Sequence, residues 1–538
     1  MQEKIAHKTA SQWSVCTART VTEFVHKHCT RLPDQAVLIY EDGVAVKRRE
    51  LLDQSERFAA YLSDRVKAGD HVAIMIGNRT EYFIALYATI ANRAVLVSLN
   101  PDAKEHDAGY VLRDSGSVLV ICGAEQRPLI ERLRAECPGV REIVTIDGPE
   151  PAGLAHCRGS RKRFSFANAK CERDDITVIY YTSGTTGAPK GCMLHHGWWL
   201  RIIDVDLRLN PDGRERGFCS VPFYYSDPAL YLMYAMQVGG SLVPMRKFSV
   251  SRYWDVIRAN NVTKVHAIAS IPVLLLKAQP SARERDHHIH HATCVAIPAN
   301  MHKQLHDRFG FPWLDNYGAT EVGQICRMPL SHIYEMTGKG SMGVPDPEVE
   351  LRICDEQDRD VPVGQPGQIL IRAPDMFKGY LNNPEVTAEA LKNGWYHSGD
   401  LGCLDERGFV YFLGRQKDII RRSGENLAAS EVEAVLRSHP KILDVAVIPV
   451  PDEIRGEEVK AYVQLVEGAT PDAVPPEELA ALCAGKLAAF KVPRYIEYRR
   501  TDFPRTPSMR IQKEMLKKEK ANLTEGAWDR EASRPHRR

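Results

Sequence analysis

Residues 180–194, Tyr-Tyr-Thr-Ser-Gly-Thr-Thr-Gly-Ala-Pro-Lys-Gly-Cys-Met-Leu, combine three glycines, four Ser/Thr hydroxyls and one lysine directly after a short apolar run. Glycines let the backbone approach a ligand closely. Backbone N–H groups, the hydroxyls of Thr182, Ser183, Thr185 and Thr186, and the Lys190 ammonium together suit a phosphate group. The order of residues is not that of a Walker A loop, which needs G-x-x-x-x-G-K-[ST]. Gly338, Gly340 and Gly343 match a dinucleotide fingerprint by letter, but no apolar strand precedes them. A flexible linker is the plain alternative for residues 182–190, yet linkers do not close on Pro-Lys-Gly behind a buried strand.

A loop of this kind needs rigid elements on either side. Residues 176–181 read as a buried strand, and a helix is expected from about His195, giving a strand–loop–helix unit. The surrounding chain repeats a β–α rhythm. Residues 70–77, 94–100 and 117–123 read as strands, and residues 80–94 as a helix opening on a Thr80 cap. The runs 240–245, 263–269 and 291–297 continue the strands. This alternation predicts parallel sheets covered by helices. Beyond about residue 340 short strands alternate with glycine turns, as in a small β-barrel or open sheet. Beyond about 418 a mixed α+β unit begins, with an amphipathic helix over 430–440 opening at Ser430. The expected organisation is an N-terminal domain over 1–414, a smaller C-terminal domain over 415–520, and a polar, frayed tail over 521–538.

The chain has 538 residues, too many for one hydrophobic core. Its 44% apolar and 26% charged residues are those of an ordinary globular protein. A net charge of +2 gives no field for nucleic acid. The basic cluster Arg158, Arg161, Lys162 and Arg163 reads as a solvated loop. Thirteen cysteines at irregular spacing, without a C-x-x-C pair, indicate reduced thiols rather than a disulfide framework or zinc knuckle. The polar start of the chain lacks the apolar core of a signal peptide, and no run is long enough for a membrane span. A soluble, cytoplasmic protein is expected. Asp286–His291 contains four histidines, without helical spacing or nearby cysteine, and reads as a surface loop rather than a metal site.

The pattern T-S-G-T-T-G-x-P-K-G resembles the phosphate loop of the adenylate-forming superfamily, which includes acyl-CoA synthetases, firefly-type luciferases and the adenylation domains of peptide synthetases. Further segments follow in that family's order. Asn316-Tyr317-Gly318-Ala319-Thr320-Glu321 resembles its aromatic-Gly-x-Thr-Glu segment, residues 395–400 its Tyr-x-x-Gly-Asp, and residues 414–427 its hinge. Residues 421–440 and 488–498 look most like CoA ligases of the crotonobetaine/carnitine type. The resemblance spans nearly the whole chain. It implies an α/β fold: two parallel-sheet subdomains plus a small β-barrel in the large domain, and a smaller, mobile α+β domain.

The resemblance implies ATP, Mg²⁺ and coenzyme A as the small molecules used, a carboxylic acid as substrate, and a dimer as the family-level assembly. Thr182 to Gly187, with Gly184 at the centre, and Lys190 would hold the β- and γ-phosphates. Thr320 would contact the α-phosphate, and Glu321 with Thr185 would hold Mg²⁺. Tyr317, between Asn316 and Gly318, would stack on adenine, with Ile297, Pro298 and Ala299 along its edge; plain core is the other reading of that tyrosine. Asp400 would accept the ribose hydroxyls, and Arg415 would reach the nucleotide. Lys417 would be the hinge, and the stretch containing Ser423, Gly424 and Glu425 would approach the pantetheine thiol.

The late motif departs from the family's P-x-T-x-x-G-K. Here residues 503–513 place Met509 and Arg510 where glycine and lysine are expected. Arg510 retains the charge with a different shape, and Lys513 lies about one helical turn further on; the two are rival candidates for the catalytic cation. Tyr225 stands where, in the family, an aromatic residue or histidine precedes the acyl pocket; the stretch reads as pocket wall or as simple core, and as pocket wall Tyr225 with Asp227 would make it more polar than a fatty-acid tunnel. The leading reading is an AMP-forming acid–CoA ligase. An adenylation enzyme loading a separate carrier protein, or a non-catalytic acyl or nucleotide binder, are the alternatives.

Overall fold

The computed structural model describes residues 13–14, 16–147, 163–182, 189–203, 205–206, 215–268, 270–295, 297, 299–423, 425–505 and 511–532. Helix α1 (Val21–Arg31) opens on Thr20, whose hydroxyl accepts the Glu23 N–H. It packs beside a sheet built from β1 (His71–Met75), β2 (Val95–Ser98), β3 (Leu119–Cys122), β4 (Glu142–Thr145), β5 (Ile176–Thr182) and β6 (Lys190–His195). The order is β4-β3-β1-β2-β5-β6. The first five strands are parallel, and β6 runs antiparallel to β5.

Helix α2 (Thr80–Ala91) is apolar around its whole circumference, as a helix enclosed on all sides must be. Every residue from Tyr82 to Ala91 is buried. Thr80 does not cap it: Arg79 occupies the N-cap, and the Thr80 hydroxyl donates to Tyr40 Oη. Phe83 meets Phe223 with ring centroids 4.6 Å apart, joining the first sheet to the second subdomain. That join is followed in the chain by α4, after the short helix α3 (His196–Ile202); α4 spans Ser226–Val238.

The second sheet has nine strands. Its centre is β7 (Arg216–Cys219), β8 (Ser241–Pro244), β9 (Lys264–Ile268), β10 (His291–Val295) and β11 (Trp313–Ala319), in the order β11-β10-β9-β7-β8, all parallel. Strand β12 (Gly323–Arg327) folds back antiparallel on β11. Helix α5 (Ser270–Lys277) leaves the end of β9. The histidine run straddles a boundary: Asp286, His288 and His290 are exposed, whereas His291 opens β10 and is buried.

A third sheet, β13 (Glu350–Cys354), β14 (Gly367–Arg372), β15 (Tyr396–Leu404) and β16 (Val410–Arg415), is antiparallel in linear order, the open form of the small β unit. The last unit contains β17 (Ile419–Arg422), β18 (Glu425–Ala428), β19 (Ile442–Asp452), β20 (Gly456–Leu465), β21 (Tyr495–Arg499) and β22 (Trp528–Asp529). Helix α6 (Ala429–Arg437) covers it, and the unit has its own apolar core around Val432, Val445, Val459 and Ile496. Ser430 does not cap α6; Ala428 holds that position, and the Ser430 hydroxyl donates to the Leu413 carbonyl. The tail is not frayed through residue 532. Trp528 pairs with Ile496, and Arg494 makes an ion pair with Asp529 at 3.2 Å, so a polar segment is held by its charges.

Candidate active site

The glycine-rich segment closes a hairpin, not a strand–loop–helix unit. Thr182 ends β5, Lys190 begins β6, and the two are register partners. Helix α3 starts at His196, at the far end of β6, about 20 Å of extended chain away. The helix N-terminus expected at the loop is therefore elsewhere, because Lys190–His195 pairs along β5 instead of continuing as helix. Ser183, Gly184, Thr185, Thr186 and Gly187 lie outside the described residues. Thr182 and Lys190 are half-buried at the edge where the parallel strands end, the side on which open α/β sheets bind ligands.

A second strand-like segment runs along β6. The N–H groups of Lys378 and Leu381 donate to the carbonyls of Met193 and Gly191, and the Met193 N–H donates to the Gly379 carbonyl. This pairing places the Tyr380 ring 5.2 Å from the Lys190 ammonium. The Tyr380 hydroxyl donates to Glu321 Oε1 at 2.7 Å. Burial, and then the Glu321 charge, push the Tyr380 phenol far above its ordinary range. Tyr396, quoted in the sequence motif but given no role there, is buried beside the same carboxylate.

Glu321 itself is only 8% exposed. It sits with Thr320 on the tight turn from β11 to β12. A Cβ on Gly318 would lie 2.4 Å from the Gly323 carbonyl, and Gly323 has φ +67°, so this turn requires glycine at both ends. The Phe377 N–H donates to the Glu321 carbonyl at 2.7 Å, fixing the turn against the 377–381 segment.

Tyr317, Asp400 and Arg415 converge from three strands. The Tyr317 hydroxyl donates to Asp400 Oδ2 at 2.8 Å. Asp400 and Arg415 are register partners across β15 and β16, with Arg415 Nε 3.3 Å from Asp400 Oδ1. That approach lacks hydrogen-bond geometry, so Asp400 Oδ1 is a buried acceptor without a hydrogen bond. Asn316 Oδ1 is in the same condition. Buried acceptors are costly unless a partner arrives. Tyr317 is 6% exposed and belongs to the main core cluster, so it packs as core while its hydroxyl holds the aspartate.

At the end of β10, the Ile297 N–H donates to Asp315 Oδ1 at 2.8 Å, and Asp315 Oδ2 lies 2.8 Å from His302 Nε2. His302 Nδ1 is 3.0 Å from the Trp313 carbonyl. This buried pair fixes the start of the 297–299 segment. Pro298 lies outside the described residues, and Ala299 begins the next helix.

The two candidates of the late motif part company. Arg510 lies outside the described residues. Lys513 is held within the small unit: its ammonium is 2.7 Å from Glu433 Oε1 on α6 and 3.7 Å from Asp418 Oδ2. Lys417 follows Arg415 by two residues; burial lowers the proton affinity of its ammonium, against the pull of Asp418. Ser423 takes φ +54° in the turn between β17 and β18, and Glu425 begins β18. Gly424 lies outside the described residues. Arg421 reaches Glu356, in the turn after β13, at 3.8 Å.

Tyr225 is the N-cap residue of α4, with its ring 4.5 Å from that of Tyr224. Asp227, in the first turn, accepts a 3.3 Å hydrogen bond from Tyr231, and burial raises its carboxyl's proton affinity.

The donor set fits the groups the sequence implies. Asp400 Oδ1 and Asn316 Oδ1 are open acceptors for hydroxyl or amino donors. Glu321 supplies one hard carboxylate, which suits Mg²⁺ held mainly by phosphates and water. Among the described residues no group of three or more His, Cys, Asp or Glu side chains could hold a metal by itself.

The family model for AMP-binding enzymes matches residues 25–381, and the model for the AMP-binding enzyme C-terminal domain matches residues 431–510. The chain belongs to the AMP-binding enzyme family, the adenylate-forming superfamily. It is 31% identical to the crotonobetaine/carnitine–CoA ligase of Citrobacter koseri over 519 residues, covering 90% of this chain and 96% of that one. It is 30% identical to the ligase of the same name from Salmonella arizonae, covering 91% and 99%. Among solved structures, ATP-bound MatB from Rhodopseudomonas palustris aligns with TM-score 0.81 at 26% identity, covering 92% and 98%. The o-succinylbenzoate CoA synthetase of Bacillus subtilis, with its acyl-adenylate intermediate, aligns at 0.79 and 26%, covering 92% and 97%. Among the described residues no helix is long and apolar enough to cross a membrane.

Tyr380 and the Asp315–His302 pair were not legible beforehand. Tyr380 lies 59 residues from Glu321 in sequence and meets it only through the pairing of 377–381 with β6. His302 is one of nineteen histidines, with no local pattern to single it out.

Proposed function

We propose that the protein is an ATP-dependent, AMP-forming ligase that joins a carboxylic acid to coenzyme A in two steps. The observation that carries this reading is the convergence of Lys190, Tyr380 and Glu321 beside the Tyr317–Asp400–Arg415 cluster, at the ends of parallel strands. In the first step a carboxylate oxygen attacks the α-phosphorus of ATP; the new P–O bond forms as the bond to the bridging oxygen breaks, and pyrophosphate leaves. In the second, the CoA thiol loses its proton and its sulfur attacks the acyl carbonyl, releasing AMP.

Positioning and cationic stabilisation supply most of such a rate. Residues 182–190 grip the β- and γ-phosphates, with Lys190 as their cation. Thr320 faces the α-phosphate. Asp400 accepts the ribose hydroxyls, held by Tyr317 and Arg415, while Asn316, Gly318 and the 297–299 backbone frame the adenine. Glu321 and Thr185 hold Mg²⁺, which when bound neutralises charge on the phosphates; Tyr380 fixes the Glu321 carboxylate. Tyr225 and Asp227 face the acid. Rotation of the 415–520 domain about Lys417 then exchanges the late motif for residues 421–426, with Ser423, Gly424 and Glu425 near the thiol. Arg510 is the catalytic cation of the late motif, because Lys513 is already paired with Glu433 and Asp418.

Purified protein with magnesium, ATP, labelled pyrophosphate and a panel of acids should catalyse acid-dependent exchange, and should release AMP on adding CoA without any carrier protein. Arg510→Ala should lower exchange by roughly a hundredfold or more, the scale of losing one positioned charge. Lys513→Ala should leave exchange within about threefold. Absence of exchange across the panel refutes the ligase; the reverse ranking of the two variants refutes the assignment of Arg510.

A further inference from the structure

His302 faces an acceptor at each ring nitrogen. Nδ1 lies 3.0 Å from the Trp313 carbonyl, and Nε2 lies 2.8 Å from Asp315 Oδ2. A neutral imidazole carries one ring hydrogen, so one of these contacts would set lone pair against lone pair. Two hydrogens satisfy both, and the ring is then an imidazolium. His302 and Asp315 are 3% and 5% exposed, so neither contact is left to bulk solvent.

The surroundings decide where the charges sit. The Ile297 N–H donates to Asp315 Oδ1 at 2.8 Å, and a bond of this kind favours the ionised carboxylate. Cys294, the register partner of Asp315 on β10, offers a neutral thiol: burial, then the Asp315 charge, push it far above its ordinary range. His302 stands in the first turn of the helix Ala299–Phe309, where the macrodipole disfavours a cation. That effect is weak beside a carboxylate 2.8 Å away in a buried setting. A buried carboxylate without a counter-charge is the costlier alternative. The pair is therefore neutral as a whole, an imidazolium on a carboxylate.

The pair joins three pieces of chain. Strand β11 supplies Trp313 and Asp315, the helix Ala299–Phe309 supplies His302, and the connection between β10 and that helix supplies Ile297. Asp315 directly precedes Asn316, whose Oδ1 is a buried acceptor without a hydrogen bond. The clamp thus grips the backbone on both flanks of an open acceptor.

We propose that His302 is a positioning residue for ATP: as an imidazolium clamped to Asp315 it fixes the Ile297 N–H, and with it the 297–299 backbone that frames the adenine. The assignment of that backbone to adenine rests on the ligase reading above. The hydrogen count on the ring does not.

Two measurements test it. In protein carrying nitrogen-15 histidine, at neutral pH, the His302 ring should show hydrogen on both nitrogens by magnetic resonance. Asp315→Asn should remove one of them: its amide oxygen accepts from Ile297, and its amide nitrogen donates to a bare Nε2. That variant keeps every contact, so its Mg-ATP dissociation constant, read by calorimetry, should stay within about threefold of wild type. His302→Phe and Asp315→Ala break the clamp. Each should weaken Mg-ATP binding by roughly tenfold or more, the scale of a lost hydrogen bond to a charged group. Exchange kcat at saturating ATP should stay within about threefold in both, as for a loss of uniform binding. A loss of folded protein would instead lower kcat and leave the dissociation constant unchanged. A single ring hydrogen on His302 in the wild type overturns the proposal without any variant. Unchanged Mg-ATP binding in folded His302→Phe or Asp315→Ala protein also overturns it. The expected binding shifts without exchange for any acid keep the role of His302 and remove the ligase reading. A wild type that binds no Mg-ATP removes both.

Discussion

Single side chains decide the chemistry through a few short hydrogen bonds. Tyr380 gives one to Glu321, and a hydrogen bond to a charged acceptor is worth about 1.5–3 kcal/mol. Tyr380→Phe keeps the ring beside Lys190 and removes that bond together with the hydroxyl's contact to Tyr396. Exchange should fall by roughly tenfold to a hundredfold, with a raised requirement for magnesium, measured by titrating the metal at fixed ATP. Unchanged metal dependence would leave Tyr380 with packing alone. Asp400 shows the complementary arrangement: one oxygen is held by Tyr317, and the other is buried without a hydrogen bond. Tyr317 was readable both as an adenine platform and as core; its burial and its hydroxyl bond place it in the core while tying it to the site.

Elements set where these residues stand, and here the sequence misled in one respect. A strand, a glycine loop and a helical run were each legible, but β6 intervenes between loop and helix. The helix α3 instead anchors α1: the Val21 N–H, one of the unpaired donors at the start of α1, donates to His196 Nδ1 at 2.9 Å. That bond needs a neutral imidazole. Burial, opposed by Asp175, lowers the His196 pKa to about 4 from an ordinary 6.5. The unfolded chain takes up the proton first as pH falls, so the contribution is complete above about pH 6.5 and is lost toward pH 4. The loss should reach about 3 kcal/mol. Denaturant unfolding from neutral pH to about pH 4 should therefore be steeper in the wild type than in His196→Asn, which retains an acceptor but does not titrate. Equal slopes would exclude His196 as the titrating group.

At the scale of the whole molecule, the small unit meets the large one at the end of α5. The Lys277 ammonium donates to the Ile442 and Leu443 carbonyls where β19 begins. Burial lowers its pKa to about 8, with Asp444 opposing. An undocked Lys277 would titrate in the ordinary lysine range, so docking expels a proton between about pH 8 and pH 10, and higher pH favours the docked pose. Energy transfer between labels on the two units should report more docking as pH rises through that window, and no pH dependence in Lys277→Met. A wild-type response in the opposite direction would rule out Lys277 as the linked group.

The sequence by itself determined the family, the two kinds of sheet and the order of the site segments. These depend on local pattern: alternating apolar runs, glycine turns, and a hydroxyl-rich loop with its lysine. It did not determine that residues 377–381 pair along β6, that His302 stands behind Ile297, or that Lys513 is bound to Glu433. Each of these joins residues distant in the chain, through pairings fixed only when sheets and helices pack. Local pattern carries the period of a strand or helix but no record of which strand lies beside it, so only the tertiary structure decided them.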